Sequence, residues 1–257
     1  MATRLVTFLS DFGLTDPYVA EVKAVLLSAQ KPLQLVDLCH ENPAFNIEWA
    51  AFQLLRSYRY FPKGTIHLAI VDPGVGTSRR AVFVKTKRFQ FVGPDNGLLK
   101  WAVDDTLKRE GGTSTIYEIP VPPGTLPTFH GRDLFAPFIA RILRGKKVRM
   151  KRLESLTGRP FPTAKPDADG CEGEILGFDR YGNAITSILA EHESGQLILD
   201  KGDQVFNYSP NYQTILPDEF RAVRGSHGFW EIAGSEVSAR EKLKLVAGST
   251  VFYQGVR

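Results

Sequence analysis

Through the first 145 residues, short apolar runs alternate with helix-like stretches, and this constrains the fold more than any other feature. "RLVTFL" (4–9), "LQLVDL" (33–38) and "TIHLAIV" (65–71) read as strands, and "AVFVKT" (81–86) and "FQFVG" (89–93) as two more with a short basic connection. Between them "PYVAEVKAVLLSAQ" (17–30) reads as a helix opened by Asp16 and Pro17, and "NIEWAAFQLLRSYRYF" (46–61) as an amphipathic one. "DNGLLKWAV" (95–103) turns into a third helix, and "RDLFAPFIARILRG" (132–145) is a fourth, closed by Gly145. Strands that are apolar on both faces and separated by helices imply a mostly parallel sheet covered by helices.

After residue 156 the pattern changes. "TGRPFPTAKPDADG" (157–170) has three prolines and no apolar period, so it reads as a connection. Beyond it, "CEGEILGFD", "AITSILA", "GQLILD", "DQVFNY", "FWEIAG" and "KLVAGSTVFYQG" are short strands parted by turn residues. The expectation is an α/β chain: an N-terminal α/β domain over 1–160, a linker over 161–169, and a small antiparallel β-barrel domain over 170–257.

Composition narrows the function classes. A content of 43% hydrophobic and 23% charged residues suits a globular chain with a sizeable core. The net charge of +4 is mild, and the densest basic run, "RGKKVRMKR" (144–152), reads as a solvated helix end rather than a nucleic-acid surface. Cys39 and Cys171 have no CxxC spacing, which fits a reduced, cytoplasmic protein. Asp11 interrupts the N-terminal apolar stretch too early for a signal peptide, and no run is long enough to span a bilayer. The five histidines show no paired spacing, so no metal or other cofactor is expected.

The stretch "VDPGVGTSRR" (71–80) follows a buried strand with one aspartate, two glycines, two hydroxyls and two arginines. A phosphate loop needs lysine and Ser or Thr after its last glycine, whereas Thr77, Ser78 and Arg79 follow Gly76. A dinucleotide fingerprint lacks its third glycine. A plain glycine turn with Asp72 as a local cap remains open. Asp11 and Asp16 follow the first strand, and Asp72 the third, where open α/β sheets bind ligands; helix capping is the competing reading, closer for Asp16 than for Asp11. His130 and Gly131 stand just before a helix. Tyr181, Asn183 and Ser226, in glycine turns of the second half, suit a flat heterocycle or simply hairpin chemistry.

Taken in order, "TFLSDFGLTDPYVAEVK", "VDLCHENPAFNIEWAAFQL", "FPKGTIHLAIVDPGVGTSRR", "FVGPDNGLL", "TFHGRDLFAP", "DRYGNAITSI" and "GFWEIAG" resemble the S-adenosyl-L-methionine (SAM) hydroxide adenosyltransferases, sisters of the SAM-dependent fluorinase and chlorinase. The resemblance covers nearly the whole chain. It implies an α/β domain, a β-barrel domain, and a homotrimer whose sites lie between subunits. It implies hydrolysis of SAM to adenosine and L-methionine, with no cofactor and no nucleic-acid or membrane partner. The family's Asp–Arg–His triad falls on Asp72, Arg79 and His130. Asp11 matches the group holding the ribose hydroxyls, Asp16 a contact at the methionine end, and Phe45 the aromatic covering the ribose. Tyr181 and Asn183 match adenine contacts, with Tyr212 on the other face of the stack; Asp179 and Ser226 match groups on the amino-acid part. Phe129, Gly131, His227 and Glu236 complete the implied substrate set.

Some positions depart from the fluorinase pattern. Asp72, Val75 and Gly131 replace tyrosine, threonine and serine, so the hydroxyl pair lining the halide pocket is missing. His227 replaces an arginine, which leaves the contact to the methionine carboxylate open, and "DRYGN" is one residue shorter. The alternatives are a chloride-using halogenase and a non-catalytic SAM- or adenosine-binding module. A methyltransferase fits less well, because "SDFGLTD" has a single glycine.

Overall fold

The computed structural model describes residues 4–29, 32–167, 170–192, 194–199 and 204–255. Gln30 of the first expected helix, Ala168 and Asp169 of the expected linker, and Asp200 and Asp203 at two expected strand ends lie outside these residues. The chain forms two compact units, Met1–Pro160 and Phe161–Arg257.

The first unit is built on a seven-stranded sheet of order β2-β1-β3-β5-β4-β6-β7. The strands are β1 (Arg4–Ser10), β2 (Leu33–Cys39), β3 (Ile66–Ile70), β4 (Ala81–Lys85), β5 (Gln90–Pro94), β6 (Thr115–Glu118) and β7 (Lys151–Leu153). β2, β1, β3 and β5 run parallel, while β4, β6 and β7 continue the sheet antiparallel. Every residue of β3 is buried, as a strand covered on both faces requires.

Four helices cover this sheet: α1 (Tyr18–Leu27), α2 (Ile47–Ser57), α3 (Lys100–Glu110) and α4 (Ala136–Leu143). α1 packs on α4 and α2 on α3. Val6, Phe8, Ile66, Leu68 and Ile70 form one core with Val19, Val22 and Leu26 of α1 and Phe138 and Ile139 of α4. The alternate strand positions face the other way, where His67 lies among Tyr58, Phe61, Phe89 and Phe91. Asn46 caps α2 by accepting the Trp49 N–H at 2.9 Å. Gly145, at φ +75°, ends α4 as expected.

In the second unit β9 (Gly170–Phe178), β10 (Ala184–Leu189), β11 (Gln196–Leu199), β12 (Gln204–Ser209), β13 (Phe220–Arg224), β14 (Phe229–Gly234) and β15 (Thr250–Gln254) close into a barrel. All its pairings are antiparallel except β12–β13. Trp230, Ile232, Phe206 and Leu197 fill its core. A short strand, β8 (Lys165–Asp167), pairs with β9 inside the stretch expected to be linker. A single turn of helix, α5 (Ala239–Lys242), follows β14. Besides β8, three more strands escape the sequence reading. β6 and β13 are short, and β7 lies in the basic run, where lysine suits an edge strand. No helix among the described residues is long and apolar enough to cross a membrane.

Candidate active site

The chain leaves β1 through α1 to β2 on one side, then passes through α2 to β3 on the other side of β1. The strand order reverses between β1 and β3, and open α/β sheets bind ligands beyond the carboxyl ends at such a point. Ser10 pairs with Ile70 at those ends, so Asp11 and Asp72 both emerge into this crevice.

Asp72, Arg79 and His130 are brought into contact there. Arg79 Nε donates to both Asp72 carboxylate oxygens at 2.9 Å, and Nη2 also donates to Oδ2. The same Nη2 lies 2.8 Å from His130 Nδ1, and the guanidinium sits over the Phe135 ring at 5.4 Å. Asp72 and Arg79 side chains are only 6% and 10% exposed. Arg79 Nη1 is buried with no hydrogen-bond partner among the described residues. A guanidinium only donates, so His130 Nδ1 accepts and the ring keeps its proton on Nε2. Burial, then the charge of Arg79, holds the His130 pKa below the usual histidine value.

The "VDPGVGTSRR" loop is pinned at both ends. Asn96 Nδ2 donates to the Val71 carbonyl at 2.9 Å, directly before Asp72. Arg80 Nε donates at 2.8 Å to Asp95, whose other oxygen accepts the Thr157 N–H at 2.7 Å. Between them, Gly76 at φ +76° brings the chain against Pro127, so close that a Cβ would strike the Pro127 carbonyl. The loop is therefore a turn, and the turn aims the Asp72 and Arg79 side chains at each other.

Asp11 accepts the Phe45 N–H at 2.8 Å, and Phe45 stands at φ +65° with its ring 70% exposed. Ser10 Oγ bonds His40 Nδ1 at 2.7 Å, and Asn42 donates to the Ser10 carbonyl at 2.8 Å, tying the loops after β1 and β2 together. Asp16 does not cap α1: Pro17 is the N-cap, it has a helical backbone, and no side chain bonds the helix start. The Asp16 carboxylate is exposed. Phe129 meets Phe12 and Tyr18 edge-on at 5.7 and 5.2 Å, and Arg132 covers its ring at 5.1 Å. Gly131 opens a π turn (Gly131–Phe135) that leads into α4.

The second unit gathers the remaining candidates on its turns. Asp179 Oδ1 accepts the N–H groups of Tyr181 and Asn183 at 2.9 Å, and Oδ2 accepts Asn183 Nδ2 at 3.0 Å. Asn183 is buried, whereas the Tyr181 ring is 77% exposed. Tyr212 donates its hydroxyl to Glu231, and His227 Nε2 lies 3.5 Å from the same carboxylate. Ser226, beside His227, is exposed. Glu236, in the loop after β14, is exposed at φ +56°.

Sequence reasoning missed Arg80, Asp95 and Asn96 as anchors, Phe12 and Tyr18 as partners of Phe129, and Glu231. A carboxylate inside the apolar run "FWEIAG" was the available signal for Glu231. Among the described residues no three His, Cys, Asp or Glu side chains gather as a metal site.

Residues 6–152 match the SAM hydroxide adenosyltransferase N-terminal domain, and residues 173–252 match the C-terminal domain of the same family. An (R)-S-adenosyl-L-methionine hydrolase of Thermus thermophilus is 40% identical over 96% of this chain and 98% of its own. A fluorinase of Actinopolyspora mzabensis is 28% identical over 84% of this chain and 79% of its own. A solved structure of a conserved hypothetical protein from Thermus thermophilus superposes with a TM-score of 0.79 at 38% identity, covering 98% of this chain and 100% of that one.

Proposed function

The chain belongs to the SAM hydroxide adenosyltransferase family, and we propose that it hydrolyses S-adenosyl-L-methionine to adenosine and L-methionine by attack of water on the ribose C5′. One observation carries the chemistry: Arg79 bridges Asp72 and His130 and keeps a buried donor, Nη1, unengaged.

The roles follow from proton inventory. His130 carries its proton on Nε2 and Arg79 offers Nη1–H, so both are donors able to orient a water oxygen. Asp72 is then the acceptor of the three, and takes the proton as the water oxygen bonds to C5′ and the C5′–S bond breaks. The sulfonium leaves as the neutral thioether of methionine. A leaving group that becomes neutral needs no general acid, metal or cofactor. General-base help of this kind contributes about 10²–10⁴-fold. Alignment of water, C5′ and sulfur in a crevice shielded from bulk water supplies much of the rest.

Family resemblance supports the substrate contacts: Asp11 on the ribose hydroxyls, Phe45 over the ribose, Asp16 toward methionine, Tyr181, Asn183 and Tyr212 around adenine, and Ser226 on the amino-acid part. We assign Asp179 to holding Tyr181 and Asn183, because both its oxygens are engaged in that turn. The same resemblance supports a homotrimer with sites between subunits. A cytoplasmic setting accords with two cysteines that are both free.

Packing at Gly131 fits water better than chloride. A Cβ there would lie 3.1 Å from Phe129 and 3.4 Å from Ile70 and Val22, so the serine of the halide pocket fits only where those side chains give by a few tenths of an ångström. The test is incubation with SAM in ¹⁸O-water. Adenosine carrying ¹⁸O with equimolar methionine is expected; intact SAM beyond the enzyme-free control overturns the reading.

A further inference from the structure

Glu231 is a carboxylate where the fold offers little reason for one. It lies in β14, a strand buried along its whole length, and its side chain is 3% exposed. A buried carboxylate is costly unless polar groups face it. Two face this one from different elements. Tyr212, in the 3-10 turn Tyr212–Thr214, points its hydroxyl at Oε1, and His227, in the β13–β14 connection, brings Nε2 to 3.5 Å from Oε2.

The His227 ring is fixed in one tautomer. Its Nδ1 accepts the Phe229 N–H at 3.2 Å, so Nδ1 carries no proton and Nε2 does. His227 therefore turns its Nε2–H edge toward Glu231, 3.5 Å from Oε2. Gly225 confirms how tight the fit is: an added Cβ there would strike the imidazole.

The register places this cluster beside the other turn. Glu231 pairs with Ile185 of β10, two residues beyond Asn183, so Asn183 and Glu231 are diagonal neighbours on one face. The Tyr212 hydroxyl pKa is raised by burial, then by Glu231, and further by the charge of Asp179, which sets the two turns within electrostatic reach of each other.

We propose that Glu231 is a positioning residue of the substrate site, whose buried carboxylate locks the Tyr212 ring and the His227 imidazole in place next to the Asp179–Asn183 turn. This rests on the SAM-hydrolase reading, in which those side chains meet the adenosine and amino-acid parts of the substrate. Glutamine cannot do the same work. Its amide oxygen accepts one donor, and its NH₂ group confronts the other.

The test is a double-mutant cycle with Glu231→Gln and Tyr212→Phe, read on KM and kcat for SAM, with His227 followed by ¹⁵N NMR. Each single variant is expected to raise KM about tenfold, the factor for loss of one charge-assisted hydrogen bond, with a much smaller fall in kcat. The double variant should be no worse than the worse single one. The His227 signals should report an Nε2–H tautomer in the wild type and a changed one in Glu231→Gln. An unchanged KM in Glu231→Gln, or effects that simply add, overturns the proposal even while the wild type hydrolyses SAM. A wild type that releases no adenosine overturns the hydrolase reading instead, and the same cycle is then decided on calorimetric dissociation constants for SAM. A general loss of fold would lower kcat, KM fit and melting temperature together; an intact melting temperature with an intact KM sinks the positioning role.

Discussion

Arg79 Nη2 and His130 Nδ1 stand 2.8 Å apart, and this contact decides which way the histidine works. Because the guanidinium donates, the imidazole can act only as an Nε2–H donor while the bridge holds. The three residues form two donors around one carboxylate, rather than a histidine base backed by an aspartate.

Asp72→Asn tests this directly. The side chain keeps its shape but loses the charge that both Arg79 nitrogens address. Turnover of SAM is expected to fall about 10²–10⁴-fold, the usual worth of a general base. The dissociation constant for SAM should move much less, because no adenosine or methionine contact is removed. His130→Gln should cost less than Asp72→Asn, since an amide N–H can replace Nε2–H. The reverse order in single-turnover rates would return the base to His130.

Stability should fall below neutral pH because of His67. Its ring is fully buried, and burial pushes its pKa down from 6.5 to about 3. Thr7 Oγ1 holds Nδ1 at 2.8 Å, while Nε2 has no hydrogen-bond partner among the described residues. The unfolded chain takes up a proton near pH 6.5 and the folded chain does not, so the unfolded state gains as pH falls from 6.5 toward 3. His40 and His130 are shifted in the same direction by burial. Denaturant unfolding at pH 7.5 and 5.5 should show a loss of about 1 kcal/mol from His67, with His40 and His130 adding in the same direction. His67→Phe should lose visibly less over that interval, whatever its stability at pH 7.5. Equal losses in the two proteins would contradict a neutral buried His67.

What the sequence discloses and what it hides divide along physical lines. Long apolar runs such as "TIHLAIV" announce β3 because a strand buried on both faces is apolar at nearly every position, His67 being the exception. β7 is hidden because its three residues, "KRL", belong to a charged run, and only pairing with β6 makes them a strand. Asp72, Arg79 and His130 are legible from local motifs, but the Arg79–His130 bridge spans 51 positions and exists only in three dimensions. The capping reading of Asp16 misses because Pro17 itself takes the N-cap place, leaving the carboxylate one residue outside the helix.

That displacement makes Asp16 informative. With no cap to lose, Asp16→Ala should leave the melting temperature within about a degree, since removing an N-cap side chain would cost about 1 kcal/mol. If Asp16 meets the cationic end of SAM, KM should rise about tenfold, as for a lost charge-assisted contact. A drop of several degrees with an unchanged KM would mean that the residue serves the fold.

The partition of candidate residues between the two units yields the last expectation. Asp72, Arg79 and His130 belong to the first unit; Asp179, Tyr181, Asn183 and Tyr212 belong to the second. If each site combines the first unit of one subunit with the second unit of a neighbour, a chain lacking Asp72 and a chain lacking Asn183 can complement each other. Asp72→Ala and Asn183→Ala proteins should each be inactive alone. Unfolded and refolded together, they should recover activity, because a mixed trimer contains a subunit boundary where both intact halves meet. A site formed within one chain predicts no recovery, since every chain then carries one defect. Sedimentation of the mixture as trimers without any released adenosine would therefore place the site inside the subunit and overturn the shared arrangement.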